Sequence, residues 1–185
     1  MNGYYQGIKL SPFEIESLVD LENLIGSPIP CVEEIKWEES YHAGCTFSKR
    51  KNGFVIRDNH VVELGVRNCR LKTIPNTIKK LKFVETIELG CNFLNELPYS
   101  IGELNNLQEL NLNRNNLKKL PDSFGNLKSL RYLNLGENNL EKLPDSFENL
   151  SLLTELKLFS NKFKILPGWF GNLKKLQKLN LYSNL

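Results

Sequence analysis

Few residues of this 185-residue chain are suited to catalysis or metal binding. Histidine can act as a general base or a metal ligand, and the sequence contains two, His42 and His60. His42 lies in a polar stretch and His60 in a predicted turn, so we interpret both as solvated side chains. The adjacent pairs Glu33–Glu34 and Glu38–Glu39 flank apolar positions, which is typical of a solvent-facing surface.

Cysteine can supply zinc ligands or a nucleophile. The four cysteines are Cys31, Cys45, Cys69 and Cys91, and they form no C-x-x-C pair and have no histidine at ligand spacing. The sequence also lacks G-x-S-x-G, H-E-x-x-H and P-loop motifs. We therefore predict no catalytic residue, no metal, no cofactor and no enzymatic activity.

The charged residues near the start of the chain indicate the cellular location of the protein. Glu14, Glu16, Asp20 and Glu22 lie where a secretion signal would need an uncharged apolar core. No apolar run approaches the roughly 18 residues that a transmembrane helix requires. These features predict a cytoplasmic protein without a membrane span, in which the cysteines are reduced thiols.

Leucine shows how the chain is organised, because 29 of the 33 leucines follow position 60. They recur in the string L-x-x-L-x-L-x-x-N at a period of 23 residues. Full repeats start at 61, 84, 107, 130 and 153, and a partial repeat starts at 176. A fixed period of this length predicts stacked repeats, each too small to bury its leucines alone.

Each repeat contains a short strand and a polar ladder position. Leu110 and Leu112 alternate at period two, so both should face the core while their neighbours face water. The asparagine that follows should turn inward and hydrogen-bond backbone groups that the turn leaves unpaired. The predicted ladder is Cys69, Asn92, Asn115, Asn138, Asn161 and Asn184.

The string resembles the leucine-rich repeat family. The second half of each repeat, as in Leu117, Leu120 and Pro121, is similar to the L-x-x-L-P form of the 23-residue intracellular class, plant and Ras-group-like or archaeal-like. The resemblance covers about two-thirds of the chain. It implies an α/β solenoid, curved and right-handed, with a parallel sheet on the concave face and short helical or 3₁₀ turns on the convex side.

The two ends of the solenoid need covers. Residues 1–60 are predicted to be an α+β cap, with a helix at about 12–25 that begins with a capping box at Ser11. A hairpin strand at about 54–57 should lead into the repeats at 61–185, with Trp37 and Phe54 packed on its open edge. At the other end Leu185 directly follows Asn184, so we expect a truncated chain, self-association through the uncapped edge, or a frayed last strand.

The outward strand positions define a candidate binding face. This face carries seven basic and six acidic residues, a mixture that argues against a nucleic-acid groove. Large side chains interrupt it, and aromatic and arginine residues dominate protein interfaces. The alternative is that these are single exposed aromatic residues of the kind that most protein surfaces carry, with no role in binding. The candidate partner-binding residues are Phe93, Arg114, Arg131, Tyr132, Lys157, Phe159 and Tyr182.

Three functions fit these features. The first is a non-catalytic protein–protein interaction module, a scaffold or adaptor whose partner is unknown. The alternative is the recognition arm of a larger signalling protein, of the Ras-like GTPase or ubiquitin-ligase type, with its effector region beyond Leu185. The third is a structural, self-assembling protein.

Overall fold

The computed structural model describes residues 3–33 and 52–185. Its N-terminal part contains an antiparallel hairpin of β1 (Gly3–Tyr5) and β2 (Ile8–Leu10), followed by helix α1 (Pro12–Ile25). The helix begins with a capping box, because the Ser11 side chain accepts a hydrogen bond from the Glu14 N–H at 3.2 Å. It ends at Gly26, whose φ of 78° is a left-handed conformation that glycine adopts without strain.

Within residues 52–185 the strands form one seven-stranded sheet. It opens with an antiparallel hairpin whose two-residue turn, Asp58 and Asn59, has positive φ at both positions. Each later strand pairs in parallel with its predecessor at a spacing of 23 residues, as Leu110 does with Leu133. The strands are β3 (Gly53–Arg57), β4 (His60–Gly65), β5 (Thr86–Glu88), β6 (Glu109–Asn111), β7 (Tyr132–Asn134), β8 (Glu155–Lys157) and β9 (Lys178–Asn180).

Short 3₁₀ helices return the chain from one strand to the next. Each begins directly after a proline with φ between −69° and −60°, where the fixed ring suits the first turn and no N–H is lost from the helix. The 3₁₀ helices are Asn76–Lys80, Tyr99–Glu103, Asp122–Asn126, Asp145–Asn149 and Gly168–Asn172. With the parallel sheet, these turns make a leucine-rich repeat solenoid of the α/β type, preceded by an N-terminal strand and helix region.

The core consists of ladders of equivalent side chains. The central leucine or isoleucine of each strand from β4 to β8 is fully buried between neighbouring repeats. On the side of the 3₁₀ helices, Phe124 and Phe147 stack with their ring centroids 5.8 Å apart. Stacking of this kind buries surface that no single repeat could cover, so each repeat is stabilised by its neighbours.

The asparagine ladder provides hydrogen-bond partners for the backbone groups at the turn after each strand. The residue before each asparagine has a positive φ, such as 54° at Glu137. The Asn138 amide donates to the carbonyl oxygens of Leu112 and Leu135, both at 3.0 Å, and accepts from the Leu117 N–H at 3.0 Å. Asn92, Asn115, Asn161 and Asn184 make equivalent bonds.

Cysteine replaces asparagine at the first position of the ladder. The Cys69 thiol lies 3.0 Å from Nδ2 of Asn52 and 3.4 Å from the carbonyl oxygen of Arg67. Burial raises the pKa of the Cys69 thiol to about 11. A thiol that stays protonated near neutral pH is a poor nucleophile, so its surroundings suit a structural role.

Two sequence expectations differ from the structure. His60 is not in the turn and is only partly exposed: it begins β4, its ring stacks on Phe83 with the centroids 3.7 Å apart, and Nδ1 lies 3.3 Å from Oε2 of Glu14. Cys31 and Cys69 are free thiols, but Cys91 is disulfide-bonded, so the expectation that it is reduced is wrong. The expectations for Trp37, His42, Cys45 and the glutamates at 34, 38 and 39 lie outside the described residues.

The last repeat packs less completely than the others. Leu179 on β9 is 40% exposed, whereas its equivalent on β8, Leu156, is fully buried. The C-terminal end of the sheet carries Lys178 within this repeat and Lys174 and Lys175 directly before it, all exposed. Two copies that met at this edge would bring like charges together, and edge lysines disfavour strand pairing between molecules.

Candidate functional site

The candidate site is the concave surface, which we define as the face of β4–β9 turned away from the leucine core. The strand register arranges its side chains in columns that cross the sheet. The first column is Glu63, Thr86, Glu109, Tyr132, Glu155 and Lys178, and the second is Gly65, Glu88, Asn111, Asn134, Lys157 and Asn180. A third column, two residues after the second, is Arg67, Gly90, Asn113, Gly136, Phe159 and Tyr182.

A buried ion pair organises the N-terminal half of the concave surface. Glu88 is 2% exposed, and its carboxylate lies 3.6 Å from Nη1 of Arg67. It also accepts hydrogen bonds from the Asn111 side chain and the Gly90 N–H, both at 2.8 Å. A buried carboxylate with these partners is a fixed part of the scaffold.

The first column is acidic in this half. Burial raises the pKa of Glu109, and the nearby charge of Glu63 raises it further. Thr86 separates these two glutamates along the column. Negative charge therefore accumulates on β4–β6 beside the neutralised Arg67–Glu88 pair.

A cationic and aromatic cluster organises the C-terminal half. The Lys157 ammonium lies 3.2 Å from Oε1 of Glu155 and 5.2 Å from the centre of the Tyr132 ring. Lys178 approaches the other carboxylate oxygen of Glu155 at 3.1 Å. Burial alone would raise the pKa of Glu155, but hydrogen bonds from Lys178 and Lys157 outweigh it and lower that pKa.

Two aromatic residues of the third column lie next to this cluster. The ring of Phe159 occupies the space above Gly136, where a Cβ atom would lie 2.2 Å from Cε1 of the ring. Tyr182 is the equivalent of Phe159 in the next repeat and is 78% exposed. An apolar surface framed by amino groups therefore spans β7–β9.

The structure brings only some of the predicted partner-binding residues together. Tyr132 on β7 and Lys157 on β8 lie on neighbouring strands, and Phe159 and Tyr182 follow the ends of β8 and β9 by two residues. Arg131 directly precedes β7 and is exposed. Arg114 is held by Glu137, with Nε 2.8 Å from the carboxylate. Phe93 is half exposed in the turn after β5, three strands away from β8.

Glu155 and Lys178 were absent from the predicted set of partner-binding residues. Both lie in the column of Tyr132, at steps of 23 residues. The repeat period already places both among the charged residues of the binding face in the sequence. Selection by side-chain size alone passed over them, because a lysine and a glutamate look like ordinary surface residues in the sequence.

The described residues offer little for other chemistry. Within 3–33 and 52–185, no group of three or more His, Cys, Asp or Glu side chains could hold a metal ion. None of the helices in those ranges is both long and apolar enough to cross a membrane. The surface as arranged can bind another molecule through aromatic, cationic and anionic contacts.

Comparison with known protein families identifies the repeats. Residues 106–163 match the family model for leucine rich repeats, and residues 51–131 match a model for a leucine-rich repeat region. The fold, the ladder and these matches together define a leucine-rich repeat protein. Comparison with curated proteins finds no match.

Solved structures show the same fold. A leucine-rich repeat protein of Leptospira interrogans is 33% identical, with a TM-score of 0.58 over 66% of this chain and 37% of its own. The ectodomain of the Arabidopsis thaliana receptor kinase GASSHO1/SCHENGEN3, in complex with CASPARIAN STRIP INTEGRITY FACTOR 2, is 31% identical, with a TM-score of 0.61 over 66% of this chain and 16% of its own. The plant peptide hormone receptor RGFR1, in complex with RGF2, is 30% identical, with a TM-score of 0.57 over 71% of this chain and 25% of its own.

These comparisons support a protein-interaction module. Two of the three solved structures are receptors in complex with a named partner. The chain spans between 16% and 37% of the length of the three proteins.

Proposed function

We propose that this chain is a non-catalytic scaffold or adaptor that binds a protein partner on its concave surface. The observation that carries the proposal is the cluster of Tyr132, Lys157, Phe159 and Tyr182 on β7–β9. Aromatic residues bury a large area at a small entropic cost, and they are enriched among the residues that dominate binding energy. The receptor complexes among the solved structures support a surface of this kind.

Substitution of the two third-column aromatic residues tests this function. A short peptide that binds the full chain would first be obtained by display selection. The double variant Phe159→Ala and Tyr182→Ala should weaken its binding by at least about 2 kcal/mol if these rings are hot spots. Tyr99→Ala is the matched control, because Tyr99 is equally exposed but belongs to a 3₁₀ helix. Unchanged affinity in the double variant would reject the proposal.

A second candidate is the recognition arm of a larger signalling protein. The three solved structures are longer than this chain, and one of them is the ectodomain of a receptor kinase. The family resemblance of the sequence suggests a Ras-like GTPase or a ubiquitin ligase as the effector region. Sequencing the gene beyond the codon for Leu185 separates this candidate from a free-standing adaptor.

We propose the cytoplasm as the location, because the sequence near the start of the chain carries charges where a secretion signal would need an apolar core. The disulfide at Cys91 speaks against it, because disulfides persist mainly in oxidising compartments. Protease protection of the tagged chain in intact and permeabilised cells decides between these locations. Degradation by protease added to intact cells would overturn the cytoplasmic proposal.

A further inference from the structure

Positive charge is concentrated on the C-terminal half of the concave surface. Arg131, Lys157, Lys162 and Lys178 all belong to the repeats that contain β7–β9. Glu137 lies in the same region but is paired with an arginine of the preceding repeat. Glu155 is therefore the carboxylate that faces this group of cations.

Glu155 cannot neutralise all of them. Its two oxygens contact Lys157 and Lys178, yet the Lys178 side chain stays 74% exposed. Among the described residues, no carboxylate lies within 4.0 Å of Arg131 or Lys162. The half of the surface that spans β7–β9 thus keeps a net positive charge at neutral pH.

The apolar part of the same surface is exposed between these cations. Phe159 covers Gly136 and remains partly exposed, and the Tyr182 ring is open to solvent. Lys178 begins β9, and Tyr182 lies two residues beyond the end of that strand. An aromatic or leucine side chain of a partner could pack on the two rings while a neighbouring carboxylate reaches Lys178 or Arg131.

Negative charge at the opposite end of the surface restricts the class of partner. The first column on β4–β6 carries Glu63 and Glu109, while Glu88 in the second column is paired with Arg67. A long polyanion such as RNA, or an extended anionic membrane, would be repelled along this half. A segment with a local acidic group avoids that repulsion.

We propose that the β7–β9 half of the concave surface binds an extended segment of a partner protein in which one or two acidic residues flank an aromatic or leucine residue. This inference rests on the proposed binding function and adds the chemistry of the partner. Arg131 and Lys178 recognise the acidic residues, and Phe159 and Tyr182 contact the apolar one. The exposed cations also accelerate the encounter with such a segment.

Display selection with a library of short random peptides, followed by charge reversal, tests the inference on the full chain. We expect the selected peptides to be enriched in Asp or Glu next to aromatic or leucine residues. The double variant Arg131→Glu and Lys178→Glu should weaken their binding about tenfold, and the loss should shrink as ionic strength rises from about 0.05 to about 0.3 M. The control Lys164→Glu and Lys175→Glu has the same net charge but alters residues outside the concave columns, and it should bind as the unaltered chain does.

The possible results separate this inference from the proposed function. The selected peptides could lack acidic enrichment and still lose binding in the double variant Phe159→Ala and Tyr182→Ala. That result would overturn the inference of an acidic partner segment and would leave the proposed binding function of the concave surface standing. Equal losses of affinity in the two charge-reversal variants would also overturn the acidic partner segment, because the loss would then follow from the change in net charge and not from the positions of the lysines and arginine. A selection that returns no peptide, or peptides unaffected by every concave substitution, would overturn both proposals.

Discussion

The ring of Phe159 fills the space beside Gly136 in the preceding repeat, so that a Cβ atom at Gly136 would lie 2.2 Å from the ring. The glycine is needed here because of this close approach, and its backbone does not have a positive φ. A small residue in one repeat therefore sets the position of a large one in the next. This relationship places a partly exposed aromatic ring over Gly136, where a partner can pack on it.

Gly136→Ala should displace the Phe159 ring and weaken binding of a display-selected peptide by an amount close to that of Phe159→Ala. The displaced atoms belong to the end of a side chain, so the free energy of unfolding should change little. Gly168→Ala is the control, because a Cβ there meets nothing within 4 Å. Titration of the labelled peptide measures the effect, and equal affinities for the two variants would contradict it.

Gly125→Ala should destabilise the solenoid. A Cβ at this position would lie 2.0 Å from the backbone oxygen of Ser146 in the next repeat, so the two repeats must separate. Overpacking of this kind costs about 1–3 kcal/mol. Gly171 is the same position in the last full repeat, where a Cβ meets nothing within 4 Å, so Gly171→Ala should be neutral. Urea unfolding of both variants measures the difference, and equal stabilities would refute the packing argument.

Asn138→Ala should lower the free energy of unfolding more than Asn184→Ala. The Asn138 amide satisfies three buried backbone groups, and each group left without a partner costs about 1–3 kcal/mol before relaxation or water entry reduces the loss. Asn184 makes equivalent bonds but is only half-buried, so water can replace its side chain. Denaturant unfolding checks the order, and a larger loss for Asn184→Ala would contradict the ladder's role.

The repeat period made much of this fold predictable from the sequence. Core leucines and ladder asparagines recur every 23 residues, so their types and spacing indicated the sheet and its register. The contact between Gly136 and Phe159 was not predictable, because it depends on which way one ring turns. The surroundings of His60 were missed for a similar reason, since Glu14 and Phe83 are distant in sequence. Glu14 meets His60 only when the N-terminal helix docks, and Phe83 only when the chain returns toward β5.

Glu14→Gln should weaken the attachment of helix α1 to the sheet. Glu14 is 1% exposed, and its carboxylate accepts a hydrogen bond from the Val61 N–H at 3.0 Å and one from the Ser11 hydroxyl at 2.7 Å. The amide of glutamine has a single acceptor oxygen, so one of these donors loses its partner, at a cost of about 1–3 kcal/mol. Hydrogen exchange of the Val61 amide should accelerate.

Glu16→Gln is the matched control for that variant. Glu16 lies on the same helix, its side chain is half exposed, and its partner is Lys80. Surface ion pairs of this kind contribute about 0–1 kcal/mol, so the exchange of Val61 should stay nearly unchanged. Equal acceleration in the two variants would show that the loss of charge on the helix matters, and not the buried hydrogen bonds.

The Glu155 carboxylate should make stability depend on pH in the acidic range. Its pKa is lower in the folded protein than its ordinary value of 4.5, because Lys178 and Lys157 stabilise the charged form. Its contribution is therefore fully present above the ordinary pKa and is lost as the pH falls through the lowered folded value. The difference in the free energy of unfolding between the unaltered chain and Glu155→Gln should be constant from about pH 6 to about pH 5 and should shrink toward about pH 3. Denaturant unfolding at each pH measures it, and a difference that grows as the pH falls would mean that the two lysines do not hold this carboxylate in its charged form.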